Sequence, residues 1–217
     1  PVFQRVTQFL PYTLGVLGSF FAPPALEASV RVFGPAQPQP QVVAGGQPLC
    51  QDAARDLCRY LSRISGQEIQ PRQPTDPKAF TIHVGLDAFV AEHAPEIKEL
   101  RGDGYLIKVL QCEGTWHLML AGKLARSAQW AVERFLHDFA GVRWLFPDPR
   151  YGEVVPQQIA LVIPADLDRR HEPDYLSRSN CGMYYFSPPR KLLRLASYGD
   201  RYGGHAIQHI FAAQEFK

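Results

Sequence analysis

The sequence predicts an α/β sandwich, helices packed on a mixed sheet over residues 29–168, followed by the opening strand and loop of a second, truncated domain. Three observations carry this. Two long segments place apolar residues at helical spacing, several short runs are rich in β-branched and aromatic residues, and glycines or clustered prolines separate them. Helices that are apolar on one stripe must bury it, and strands between them supply the surface.

The elements follow in order. After the Pro/Gln-rich stretch GPAQPQPQ, the segment QVVAGG reads as a short strand ended by two glycines. The next segment, CQDAARDLCRYLSRISG, sets Ala54, Leu57, Cys58, Leu61 and Ile64 on one helical stripe. Gly66 then stands where a helix end wants positive φ. A β-branched and aromatic strand follows, AFTIHVGL, and His83 within it reads as a packed strand residue rather than a ligand. VAEHAPEIKELRG is a weaker helix interrupted by Pro95. GYLIKVLQCEGTWHLMLAG predicts a hairpin of strands 104–111 and 115–121. The third helix, KLARSAQWAVERFLHDFAG, has Leu124, Ala128, Ala131, Phe135 and Phe139 as its stripe and Gly141 at its close. VRWLFP and IALVIP are short strands on either side of a turn-rich junction, and ADLDRRHEPD reads as a charged linker. Beyond it, the apolar runs YLSRSNCGMYYF and HAIQHIFAAQEF cannot close a core of their own, which points to truncation after Lys217.

Composition narrows the function classes. With 23 basic against 21 acidic residues, scattered along the chain, there is no electrostatic footprint for nucleic acid. The nineteen prolines punctuate the chain. Residues 6–26 are uncharged and apolar, Arg5 precedes them, and small residues follow at Ala25, Ala28 and Ser29. That order predicts a signal peptide over 1–28 and a secreted or periplasmic protein, with a buried N-terminal segment or lipid anchor as the alternative. Pro11, Gly15 and Gly18 argue against a stable membrane span. The chain opens on Pro1, so its true start is expected upstream.

Several chemistries have nothing to rest on. The sequence holds no dinucleotide or P-loop glycine pattern and no GxSxG elbow. His205 and His209 are spaced i, i+4, but Ala206 stands where a zinc protease needs Glu. Cys50, Cys58, Cys112 and Cys181 show no CxxC pairing and no nearby His at ligand spacing, so no zinc site is expected and no disulfide is assigned. Cys58 falls on an apolar stripe as a small buried hydrophobe. No pair of carboxylates stands out for general acid/base work, no catalytic residue is nominated, and no metal or cofactor is implied.

The junction GVRWLFPDPRYGEVVP carries a family resemblance, together with the preceding WAVERFLHDFAG and the following IALVIPADLDRRHEPDYLSRS. It resembles the N-terminal domain of α-glucuronidase-like glycoside hydrolases, an arrangement that recurs in the second domain of β-N-acetylhexosaminidases. AARDLCRYLSRISGQEI and FTIHVGL match that domain too, so the resemblance covers roughly residues 41–180. Within the group the chain looks most like uncharacterised bacterial proteins that join this domain to a predicted glycosidase barrel. The resemblance implies that the α/β domain is non-catalytic and packs on a (β/α)8 barrel beginning over 169–217, entered through Pro173–Arg178. Trp144, Phe146 and Tyr151 would then pack the seam between domain and barrel, direct glycan stacking by Trp144 being the alternative. Arg178 would fork onto sugar hydroxyls or pair with Asp168 or Asp174. His205, flanked by Gly203 and Gly204, would touch sugar from the first strand-to-helix loop. The expected function is the accessory region of a secreted glycosidase, with a carbohydrate substrate and its own C-terminal barrel as partners. A free-standing carbohydrate-binding or structural module is the alternative.

Overall fold

The computed structural model describes residues 28–145 and 152–174. Helix α1, Pro48–Ser65, begins with proline in its first turn, where the missing N–H costs no helical bond. It ends at Gly66, whose φ of 72° is the left-handed conformation glycine adopts without strain and whose N–H returns to Ser62 O. Ala54, Leu57, Cys58, Leu61 and Ile64 are all buried, as their spacing predicts.

Strands β2 (Gln41–Ala44), β3 (Thr81–Val84), β5 (Thr115–Gly122), β4 (Tyr105–Cys112) and β9 (Asp168–His171) lie side by side in that order. The β2–β3 and β3–β5 pairs are parallel, with His83 opposite Met119; the β5–β4 and β4–β9 pairs are antiparallel. The sheet is therefore mixed, as expected. The β4–β5 turn is made by Glu113 and Gly114 at φ 49° and 81°, the two positive values that a tight hairpin matching strand twist requires. At the outer edge, the Gln41 side chain is fully buried and clamps the loop before β3. Its amide nitrogen donates to Asp76 O at 2.6 Å, and its oxygen accepts from the Asp76 N–H at 3.0 Å.

One face of the sheet is covered by α1 and by α3, Ala125–Asp138, whose Ala128, Ala131 and Phe135 are completely buried. Trp130, Val132 and Leu136 are buried too, because α3 packs on α1 as well as on the sheet. Phe139, assigned to the stripe, is only half-buried at the C-cap. Helix α2 (Ala88–His93) and a 3-10 turn at Pro95–Glu99 replace the single weak helix, with Pro95 at the break. They cover the opposite face, where Val90, Ala94, Ile97 and Leu100 pack on Leu106, Met119 and Ala121.

Three strands lie where none is expected, the two-residue β7 (Glu153–Val154) inside the turn-rich junction among them. β1, Ser29–Phe33, pairs antiparallel with β8, Leu161–Pro164, and this ribbon buries Val30, Val32, Leu161 and Ile163 in the helix-side core. The segment read as a charged linker contains β9 instead. Its exposed Asp168, Arg169 and Arg170 belong to an edge strand, where charge discourages pairing with another chain. Among the described residues no helix is long and apolar enough to cross a membrane.

Candidate functional site

The junction singled out by its aromatics is a pinned hairpin. β6, Arg143–Trp144, pairs antiparallel with β7, Glu153–Val154. The half-buried Trp144 donates its indole N–H to Tyr60 Oη at 2.8 Å, and Tyr60 donates onward to Glu153 Oε1 at 2.6 Å. Arg63 closes the cluster on Glu153 Oε2 at 2.6 Å. The Trp144 and Tyr60 rings meet edge to face at 5.6 Å. Burial, with the carboxylate beside it, pushes the Tyr60 hydroxyl up to about 12. Burial alone would raise the Glu153 carboxyl, but hydrogen bonds from Tyr60 and Arg63 outweigh it and hold that group below its ordinary range. Trp144 is thus anchored to α1 within its own domain. Phe146, Tyr151, Arg178 and His205 lie outside the described residues, as do Cys181 and His209.

On the opposite face of the sheet lies a polar cluster that the sequence does not announce. His83 is indeed packed, only 5% exposed, but its ring is fully engaged. Its Nδ1 lies 2.6 Å from Asp87 Oδ2 and its Nε2 lies 3.1 Å from His117 Nδ1. Asp87 also caps α2, accepting from the Val90 N–H at 2.8 Å. Phe89 stacks on His83, His117 and His93 with centroids 4.4, 4.2 and 4.2 Å away. Burial would raise the Asp87 carboxyl, yet the hydrogen bonds from His83 and Val90 hold it low. His117 is pushed down to about 4, first by burial and then by the positive charges His83 and His93 can carry. With Asp87 ionised, His83 donates through Nδ1. A neutral His83 accepts at Nε2 from His117, leaving the His117 lone pair on its outer nitrogen. The chain Asp87–His83–His117 is hydrogen-bonded end to end, and burial keeps His117 neutral near neutrality. Cys112 Sγ lies 3.7 Å from His93 Nε2 at the margin of this cluster. Among the described residues no three His, Cys, Asp or Glu side chains converge as a metal cage. Cys50, Cys58 and Cys112 are free, and burial raises the Cys58 thiol to about 12, so it stays protonated and inert.

The surface also carries an open cleft of ≈ 460 Å³ rich in side-chain amides: Gln37, Gln39, Gln67, Gln157 and Gln158 line it, with Ile64 at its base.

The fold is that of an α/β domain built on a mixed five-stranded sheet. Parts of it are similar to two solved glycoside hydrolases. A family GH115 4-O-methyl-α-glucuronidase with specificity for decorated arabinogalactans is 14% identical over 69% of this chain and 19% of its own, with a TM-score of 0.48. A GH138 enzyme targeting pectin rhamnogalacturonan II is 15% identical over 46% of this chain and 14% of its own, with a TM-score of 0.28. The chain spans less than a fifth of the length of either. No family model and no curated protein matches it.

Proposed function

We propose that this chain is the N-terminal, non-catalytic region of a secreted glycoside hydrolase acting on polysaccharide or oligosaccharide. One observation carries the reading: the β6–β7 pair at the junction that bears the family resemblance is pinned from within, and large apolar side chains stand exposed in and after it in sequence. Its hairpin is locked from within by the Trp144–Tyr60–Glu153–Arg63 cluster. Outside, Leu145 is 63% and Ile159 83% exposed, and Val154 and Val162 are exposed beside them in sequence. Of the six large hydrophobics exposed among the described residues, these four fall between residues 145 and 162. In this reading these exposed apolar side chains belong to an interaction face. Its occupant in this reading is the protein's own C-terminal barrel, with Phe146 and Tyr151 completing the seam and Arg178 and His205 reaching the sugar.

The carboxylates with displaced titration agree with a supporting role. Asp87, Glu96, Asp138, Glu153 and Glu172 are each held low by hydrogen-bonding or basic partners, so they remain ionised near neutrality. A glycosidic general acid needs the opposite, a raised pKa, and a second carboxylate roughly 5–10 Å away. In this reading both are supplied by another part of the protein.

The test is the release of reducing ends from a panel of polysaccharides. It compares this chain with the protein encoded by the same reading frame continued past Lys217. Release by the extended protein and none by the chain alone is the expected result. An extended protein that cleaves nothing, or a frame that stops at Lys217, would leave a carbohydrate-binding or structural module instead.

A further inference from the structure

A second cleft, of ≈ 370 Å³, lies between the β1–β8 ribbon and the starts of β3 and β5. Its wall includes the half-buried Trp116, Phe80 and the exposed side chains of Arg31 and Lys78. Among the described residues no Asp or Glu lines it. Neither Arg31 nor Lys78 makes a side-chain hydrogen bond or ion pair among the described residues, and the Trp116 ring nitrogen likewise has no partner there. Most other described arginines do bond to a partner: Arg55, Arg59, Arg63, Arg101, Arg134, Arg143, Arg169 and Arg170 all make a side-chain hydrogen bond. Among the described residues, Arg31, Lys78 and the Trp116 indole therefore face a cleft with no anionic partner for them.

The cleft is shaped in advance. The Arg31 stem lies across Gly34, where an added Cβ would come within 2.6 Å of Arg31 Cδ. Thr115 donates its hydroxyl to Pro77 O, fixing the turn that carries Lys78 against the start of β5. Gln37 lines this cleft and the amide-rich cleft alike, so the two share one wall residue.

We propose that the Trp116 cleft binds an acidic saccharide: a sugar ring lying on the indole with its carboxylate or sulfate between Arg31 and Lys78. The neighbouring sugar residues run past Gln37 into the amide-rich cleft. The guanidinium fork suits a planar or tetrahedral oxyanion, an indole gives the apolar face of a sugar a flat partner, and amides donate to and accept from hydroxyls. A neutral saccharide would leave both cations unanswered. This inference deepens the carbohydrate reading above and rests on it. It is tested on this chain directly, by binding rather than by hydrolysis, so its failure leaves the hydrolase reading standing.

The experiment is a calorimetric titration of the full chain with trigalacturonate, with its fully methyl-esterified form and with a sulfated galactose trisaccharide. At least one acidic trisaccharide is expected to bind saturably, about tenfold or more tighter than the ester, and more weakly as salt rises. The Arg31→Gln/Lys78→Gln variant alters exposed positions only and is expected to lose about tenfold or more in affinity for the acid, with an unchanged melting temperature. Trp116→Ala should lose binding to acid and ester alike, and Gly34→Ala should weaken the acid alone by displacing the Arg31 stem. Equal affinity for acid and ester, no saturable binding of either acid, or an undiminished affinity in the double variant would each overturn the proposal.

Discussion

The two faces of the five-stranded sheet solve the burial problem differently. On one, α1 and α3 interdigitate over Leu57, Leu61, Phe135 and Leu136, all completely buried, and little but shape holds them. On the other, a six-residue helix and a 3-10 turn cover less surface, and a hydrogen-bonded Asp87–His83–His117 chain with stacked rings fills part of the layer. The long helices derive their stability from apolar area. The short one has too little area for that and is fastened by a capping carboxylate. The first face should fail through cavities, the second through protons.

Phe135→Ala sets the upper end of this contrast. It removes a completely buried ring from the helix side and should cost about 3–5 kcal/mol, read as a lower denaturant midpoint with little change with pH. The opposite face should show the reverse pattern. His117 titrates at about 4 in the folded chain against an ordinary value of 6.5, so the unfolded chain binds more protons between those values. Stability is then fully present above about pH 6.5 and is lost as pH falls toward 4. The loss is at most about 3 kcal/mol and nearer half of that once solvent screening of a half-buried ring is counted. His117→Gln should flatten the curve in that window. Asp87→Ala removes both the cap of α2 and the partner of His83, and should cost about 2 kcal/mol near neutrality, with amide exchange quickening first in residues 88–99. Tyr60→Phe, on α1 where the helix-side core meets the β6–β7 hairpin, should cost about 1 kcal/mol or slightly more. It leaves the Trp144 N–H without its acceptor and Glu153 without one donor, and should loosen the β6–β7 hairpin alone.

The helix-side half of the molecule was largely legible in the sequence. A 3.6-residue period survives in α1 and α3 because one stripe of each does the burying, and Gly66 and the Glu113–Gly114 pair mark turns that only certain residues make easily. The misses have physical reasons. β1 does alternate, with Val30 and Val32 buried between exposed Ser29 and Arg31, but it abuts an apolar leader-like run that hides the period. β9 carries no apolar period, because an edge strand of Asp168, Arg169 and Arg170 is defined by its backbone ladder to β4. The histidine cluster was not legible: Asp87 stands four residues after His83 but across a strand-to-helix turn, and His117 is brought to His83 by parallel pairing of strands 34 residues apart in sequence. Trp144 stood out in the sequence as an aromatic at a turn-rich junction, but the Tyr60 and Glu153 that hold it come from 84 residues upstream and from the far strand of its own hairpin.

In the function proposed, this α/β domain serves a hydrolase whose catalytic groups lie elsewhere in the protein. The most direct measurement is to read the gene beyond Lys217 and compare its product with the mass of the native protein. A frame continuing for a few hundred residues with alternating strand and helix patterns, and a native mass to match, is the result predicted. A stop codon directly after Lys217, with a native mass that agrees with it, would contradict the claim and leave a binding or structural module.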